Sequence, residues 1–128
     1  MRLLLDTHAL LWWLFDDPQL SKTARELIAD PEHIIHVSSA SAWEISTKYR
    51  LGKLPDARPL VRDMTAWIRR AGFEPLAVTV EHAQRAGGWP QDHRDPFDRM
   101  LAAQSALDAM PLITRDPALT LFDIAIVW

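Results

Sequence analysis

Arg2-Leu3-Leu4-Leu5-Asp6-Thr7-His8 is an aliphatic run that stops on an acid. Three leucines in succession, with no polar alternation, suit a strand buried on both faces of a parallel sheet, and the acid is delivered at its carboxyl end. Thr7 can cap the helix that follows over residues 9–15, which Asp16-Asp17-Pro18 breaks before Ser21 opens a second helix through residue 29. Residues 34–37 repeat the theme as an aliphatic strand leading through Ser38-Ser39-Ala40-Ser41 into a helix that carries Trp43, Glu44, Ile45 and Tyr49 as far as Gly52. A helix over 59–71 and a brief strand over 74–77 follow, then a short helix from Thr79 to Ala86. Gly87-Gly88-Trp89-Pro90 begins a polar connection, read as mobile, that ends at Arg94. Asp95-Pro96 is an N-cap followed by proline at the first helical position. Residues 111–114 and 124–127 are the remaining strands. Short strands alternating with helices predict one α/β domain over residues 1–128, with a parallel sheet covered on both faces.

Composition narrows the function. The 128 residues are 48% hydrophobic and 24% charged, the balance of a folded domain. The absence of cysteine excludes disulfides, thiolate metal sites and a thiol nucleophile. The longest apolar stretch near the start, residues 9–15, falls short of the roughly 20 residues a membrane span needs. With no leader pattern at the N-terminus, the expected setting is cytoplasmic. A net charge of −3 supplies no global attraction to phosphate, so any nucleic-acid binding must rest on local basic residues or on a metal ion.

Four carboxylates are expected at one edge of the sheet. Asp6 ends the first strand, Glu44 lies in the first turn after the second, and Asp116 follows the strand over 111–114. Asp98 joins them if its helix starts nearby. Ligands of such sheets gather outside the carboxyl ends of the strands. Four acids without a counter-charge would drive one another to protonate, and a divalent cation resolves the conflict. Oxygen ligands without Cys or suitably spaced His favour Mg²⁺ or Mn²⁺. Each acid except Asp6 also has a structural reading. Ser41-Ala42-Trp43-Glu44 fits a capping box, Asp98 suits the positive end of a helix dipole, and Asp116 before Pro117 suits a turn. Thr114 can orient a carboxylate or water, or be a plain strand threonine. Lys48, Arg50, Lys53, Arg94, Arg99 and Arg115 are candidates for a phosphate-binding rim.

The blocks Leu3-Leu4-Leu5-Asp6-Thr7-His8-Ala9-Leu10-Leu11-Trp12, Ser41-Ala42-Trp43-Glu44-Ile45, His93-Arg94-Asp95-Pro96-Phe97-Asp98-Arg99-Met100-Leu101-Ala102-Ala103-Gln104 and Leu112-Ile113-Thr114-Arg115-Asp116 occur in this order. Together they resemble the PIN-domain family, and within it the VapC-type toxins of toxin–antitoxin pairs. The resemblance implies a three-layer fold with about five parallel strands, and a Mg²⁺- or Mn²⁺-dependent endoribonuclease. It makes Asp6, Glu44, Asp98 and Asp116 the acidic site residues, with Asp6 and Asp98 the principal metal ligands and Thr114 a helper. Asp95 is assigned to the helix cap. It also implies a cognate antitoxin, seated in a hydrophobic groove with a basic side chain in the acidic pocket, and a homodimer. Six tryptophans fit such interfaces, because the adjacent Trp12 and Trp13 are not expected both to face inward. Two alternatives stand beside this reading. One is a PIN-like binding module without turnover. The other is a metal-dependent phosphohydrolase of small esters, since Asp6 after a strand is similar to haloacid-dehalogenase-like enzymes, although His8 stands where those enzymes have a second aspartate.

Overall fold

The computed structural model describes all residues 1–128. Five strands, β1 (Arg2–Leu5), β2 (Ile34–Ser38), β3 (Glu74–Leu76), β4 (Leu112–Ile113) and β5 (Ile126–Val127), form one sheet in the order β3-β2-β1-β4-β5. Every neighbouring pair is parallel. Seven α-helices connect and cover them: α1 (Thr7–Leu14), α2 (Lys22–Ala29), α3 (Ser39–Arg50), α4 (Arg58–Arg62), α5 (Met64–Arg70), α6 (Val80–Gly88) and α7 (Pro96–Leu107). Short 3-10 turns occupy Pro55–Ala57 and Pro117–Phe122.

The period-two alternation of strands divides the core between the two faces. Leu3, Leu5, Ile35, Val37 and Ile113 pack on one side with residues from α1 through α5, among them Leu10, Ile45, Leu60 and Ile68. Leu4 and Leu112 face the other way, against Leu101 and Ala102 of α7 together with Met110, Leu119 and Phe122. The three leucines of β1 are essentially inaccessible to solvent, which is why the strand carries no polar alternation. Each such side chain contributes about 1.5–3 kcal/mol of burial.

Several elements depart from the sequence expectation. The helix over 59–71 is two helices, because Asp63 leaves helical geometry and its carboxylate caps α5 at the Ala66 N–H, 3.1 Å away. Leu60, Met64, Trp67 and Ile68 all still pack on one core cluster, so the apolar periodicity runs through the break. The cap of α1 is Asp6 rather than Thr7. Trp12 and Trp13 both pack on the core, Trp12 buried and Trp13 half-buried with its ring 6.3 Å from that of Phe73. Both can do so because α1 is apolar nearly all round and lies enclosed. Trp43 alone among the six indoles is exposed.

Candidate active site

The chain lays down β1, β2 and β3 in one direction and then returns to place β4 on the opposite side of β1. This reversal opens a crevice beyond the carboxyl ends of β1 and β4, the position where open α/β sheets bind ligands. Asp6 directly follows β1, and Thr114 and Asp116 follow β4. Glu44 enters from α3 and Asp98 from the first turn of α7, two helices that pack on each other.

Asp6 is buried and its Oδ1 accepts the Ala9 N–H at 2.7 Å. Burial pushes its carboxyl above the ordinary range, against the opposing effects of the Thr114 hydroxyl, the Ala9 N–H and the His8 charge, while Glu44 adds to the rise. Thr114 is fully buried, and its hydroxyl oxygen accepts the Asp116 N–H at 3.1 Å. Asp116 is exposed, and its Oδ1 caps the following 3-10 turn at the Ala118 N–H, 2.9 Å away. A cavity of about 400 Å³ is lined by Asp6, His8, Trp12, Arg115, Asp116 and Pro117.

Glu44 is 2% exposed, a burial that an ionisable side chain tolerates only with a partner. Its Oε2 accepts from the Lys48 ammonium one turn along α3. Its Oε1 is buried with no hydrogen-bond partner. Burial alone would lower the Lys48 ammonium, but the Glu44 hydrogen bond and the charges of Glu44, Asp95 and Asp98 outweigh it and hold it above its ordinary value. Asp98 is pushed up to about 6, first by burial and then by Asp95, with Glu44 adding to the rise. His93 opposes this through Nε2, which stands 3.1 Å from Asp98 Oδ2.

No three Asp, Glu or His side chains converge closely enough to enclose a cation, so the four acids line one edge without forming a tight cluster. Glu44 is the link, acting electrostatically on both Asp6 and Asp98, while Asp116 shares the cavity beside Asp6. Their chemistry fits a hard divalent cation: an all-oxygen donor set, a buried Glu44 oxygen without a partner, and two carboxyls raised by burial.

A model of the PIN domain matches residues 3–124. The chain belongs to the PIN-domain family. Over 68 residues the sequence is 43% identical to Ribonuclease VapC16 of Mycobacterium tuberculosis (strain ATCC 25618 / H37Rv), a match that covers 52% of this chain and 48% of that protein. The aligned segment thus spans about half the length of this curated relative. Across 100% of this PIN domain and 98% of the other chain, the fold superposes with a TM-score of 0.66 and 16% identity on VapBC2 from Rickettsia felis, solved bound to a DNA fragment from their promoter. That likeness establishes the shared architecture.

Within the PIN domain the structural reading of Glu44 fails and that of Asp95 holds. The cap of α3 is Ser38, whose hydroxyl accepts the Ala40 N–H at 3.0 Å, so Glu44 lies in the second helical turn and forms no capping box. Ser41 instead accepts a hydrogen bond from the Thr7 hydroxyl at 2.9 Å, tying α3 to α1 beside Asp6. Asp95 caps α7, its Oδ1 accepting the Phe97 and Asp98 N–H groups at 2.9 and 3.3 Å.

Two of the basic residues considered for a phosphate rim are committed elsewhere. Lys48 is engaged with Glu44, a pairing visible in the i, i+4 spacing. Arg99 donates to the carbonyls of Ala86, Trp89, Gln91 and His93 at 2.6–3.0 Å. It thereby ties down the connection after α6 that composition marks as mobile. This tether presents His93 to Asp98, a role for which nothing in the local sequence offers a signal.

Proposed function

We propose that this PIN domain is a metal-dependent endoribonuclease that hydrolyses RNA phosphodiesters as the toxin of a type II toxin–antitoxin pair. The observation that carries the reading is the buried Glu44 oxygen without a partner, on a residue that acts electrostatically on both Asp6 and Asp98 near the switch point of a PIN-domain sheet. The identity shared with Ribonuclease VapC16 supports RNA as the substrate.

Asp6 and Asp98 would be the principal ligands of Mg²⁺ or Mn²⁺, with Glu44 and Asp116 completing the shell directly or through water. When bound, the ion lowers the pKa of a water nucleophile and neutralises phosphate charge. The chain's own groups prepare the rest. The Ala9 N–H fixes Asp6 Oδ1, and the Thr7–Ser41 hydrogen bond holds the adjoining helix starts together. His93 orients Asp98 through Oδ2. Asp116 keeps Oδ1 on its own backbone cap, which leaves Oδ2 free to accept the proton of the attacking water.

The partner reading follows from the same resemblance to VapC-type toxins. A cognate antitoxin would place a basic side chain among these acids and silence the enzyme, and the free protein would be a homodimer. The exposed Trp43, stacked edge-on against Phe97 with ring centroids 4.9 Å apart, lies next to Glu44 in sequence and offers an apolar anchor beside the site. No helix is long and apolar enough to cross a membrane. Action on cellular RNA places the proposed activity in the cytoplasm.

Incubation of purified protein with labelled total RNA, tRNA included, tests the reading with Mg²⁺, Mn²⁺ or EDTA and with an Asp98→Asn variant alongside. Metal-dependent cleavage that the variant loses is the expected result. Intact RNA in every lane, with metal still bound, would move the reading to a binding module. Phosphate release from small esters in place of RNA cleavage would favour the phosphohydrolase.

A further inference from the structure

Arg115 differs from the other basic residues around the site. Its guanidinium carbon stands 4.6 Å from the centroid of the Trp12 ring, in cation–π geometry. No carboxylate or carbonyl of the chain accepts a hydrogen bond from it, and it enters no ion pair, although Asp6 and Asp116 line the same cavity. Its platform is rigid: Trp12 is almost wholly buried, with the Trp128 ring edge-on at 5.8 Å and the His8 ring tilted against it at 5.6 Å. A planar cation thus lies over an aromatic ring while all five N–H donors stay unspent, the arrangement that suits a bidentate oxyanion. A second cavity, about 230 Å³, shares His8 and Trp12 with the first, but its one lysine, Lys53, is accompanied by Asp17 and Asp56, so the unpaired positive charge beside the site is that of Arg115.

We propose that Arg115, braced on Trp12, binds a backbone phosphate of the RNA next to the scissile one. The inference rests on the endoribonuclease reading and extends it to a contact that holds the substrate strand. A phosphate is favoured over the carboxylate of an acidic peptide because the subsite shares its cavity with Asp6, so scissile and bound groups would belong to one continuous strand. Arg115 is here a positioning residue, touching substrate away from the reacting atoms.

The test is binding of a short fluorescein-labelled single-stranded RNA of mixed sequence, followed by anisotropy across a salt series in the Asp98→Asn background, with and without Arg115→Gln. One lost phosphate contact should make the slope of log K against log salt shallower by about 0.7. Arg115→Lys should restore the slope but only part of the affinity, because charge is kept and the planar fork is lost. In the otherwise unaltered enzyme, Arg115→Gln should raise KM by about tenfold with kcat nearly unchanged, since the contact forms in both ground and transition states. The exposed position of Arg115 leaves folding intact, which an unchanged melting temperature checks. RNA bound and cleaved with an unaltered salt slope overturns the subsite while leaving the endoribonuclease standing. An unaltered slope together with weakened binding of a glutamate-rich peptide overturns it in favour of an acidic protein segment. Failure of the Arg115-intact protein to bind or cut any RNA removes the endoribonuclease reading and the subsite together.

Discussion

Replacement of Asp98 by asparagine should stabilise the metal-free protein while destroying its proposed activity. Burial and the charge of Asp95 hold the Asp98 carboxyl up at about 6 rather than 3.8, a difference of about two pH units. At about 1.36 kcal/mol per unit, ionising it in the fold costs about 3 kcal/mol. The side chain is 25% exposed, and solvent screening reduces this to roughly 1–2 kcal/mol. Between pH 3.8 and about 6 the folded chain holds a proton that the unfolded chain has released, so stability falls as pH rises through that window. Asparagine keeps an acceptor for His93 but carries no charge. Its advantage should therefore be nearly complete at pH 8, about half as large at pH 5, and gone below the unfolded pKa. For a chain of this length the gain at pH 8 corresponds to a rise in Tm of roughly 3–8 °C. Thermal unfolding in EDTA at pH 5 and pH 8 measures it. In Mn²⁺ the order should invert, because only the native carboxylate gains from the ion. A variant less stable than the parent by the same margin at both pH values in EDTA would refute the reasoning and make Asp98 a purely structural contact.

Two further substitutions probe the same region. Lys48→Met removes the only hydrogen-bonding partner of the buried Glu44, so the metal-free protein should lose about 2 kcal/mol, and Mn²⁺ should raise Tm more than in the parent; an equal metal-induced rise would show that Lys48 does not stand in for the cation. Arg99→Met strips four carbonyls of their shared donor, and hydrogen exchange should accelerate in residues 89–94 while β1 stays protected; unaltered exchange there would mean that the connection is held by something other than Arg99.

The architecture was legible because its decisive elements are locally self-consistent. The apolar Leu3-Leu4-Leu5 run requires burial on both faces, and Asp95-Pro96 marks a helix start by capping and by fixed backbone geometry. The break at Asp63 was hidden because the residues on either side still point to the same core. Ser41 and Glu44 carried a capping signature that went unused, since Ser38 begins the helix three residues earlier and turns both side chains to other work. The placement of Asp6 and Asp116 beside one cavity could be read from strand ends and the rule for parallel sheets. Beyond the i, i+4 pairing of Glu44 with Lys48, what could not be read was each group's immediate partner. His93 reaches Asp98 from a connection that Arg99 holds by the carbonyls of Trp89, Gln91 and His93, a contact set by tertiary geometry rather than by any motif.

The same geometry explains why so much negative charge is tolerated at one crevice. Each acid is partly neutralised by a different device: backbone N–H groups for Asp6, Asp95 and Asp116, a lysine for Glu44, and an imidazole for Asp98. At Glu44 the device occupies one oxygen and leaves the other, Oε1, buried without a protein partner. A fold that only needed to bury these residues would gain by satisfying both oxygens, or by replacing the acids with apolar side chains of similar volume. Retaining a half-satisfied Glu44 beside the raised carboxyls of Asp6 and Asp98 keeps a standing demand for positive charge at the point where β1 and β4 diverge. Lys48 meets that demand in part, and Arg115, lying against Trp12 and paired with no acid, does not meet it at all. The demand is thus left open to a cation from solution, and the guanidinium is left open to an anion beside it, the two requirements of the proposed hydrolysis of a phosphodiester within a longer strand.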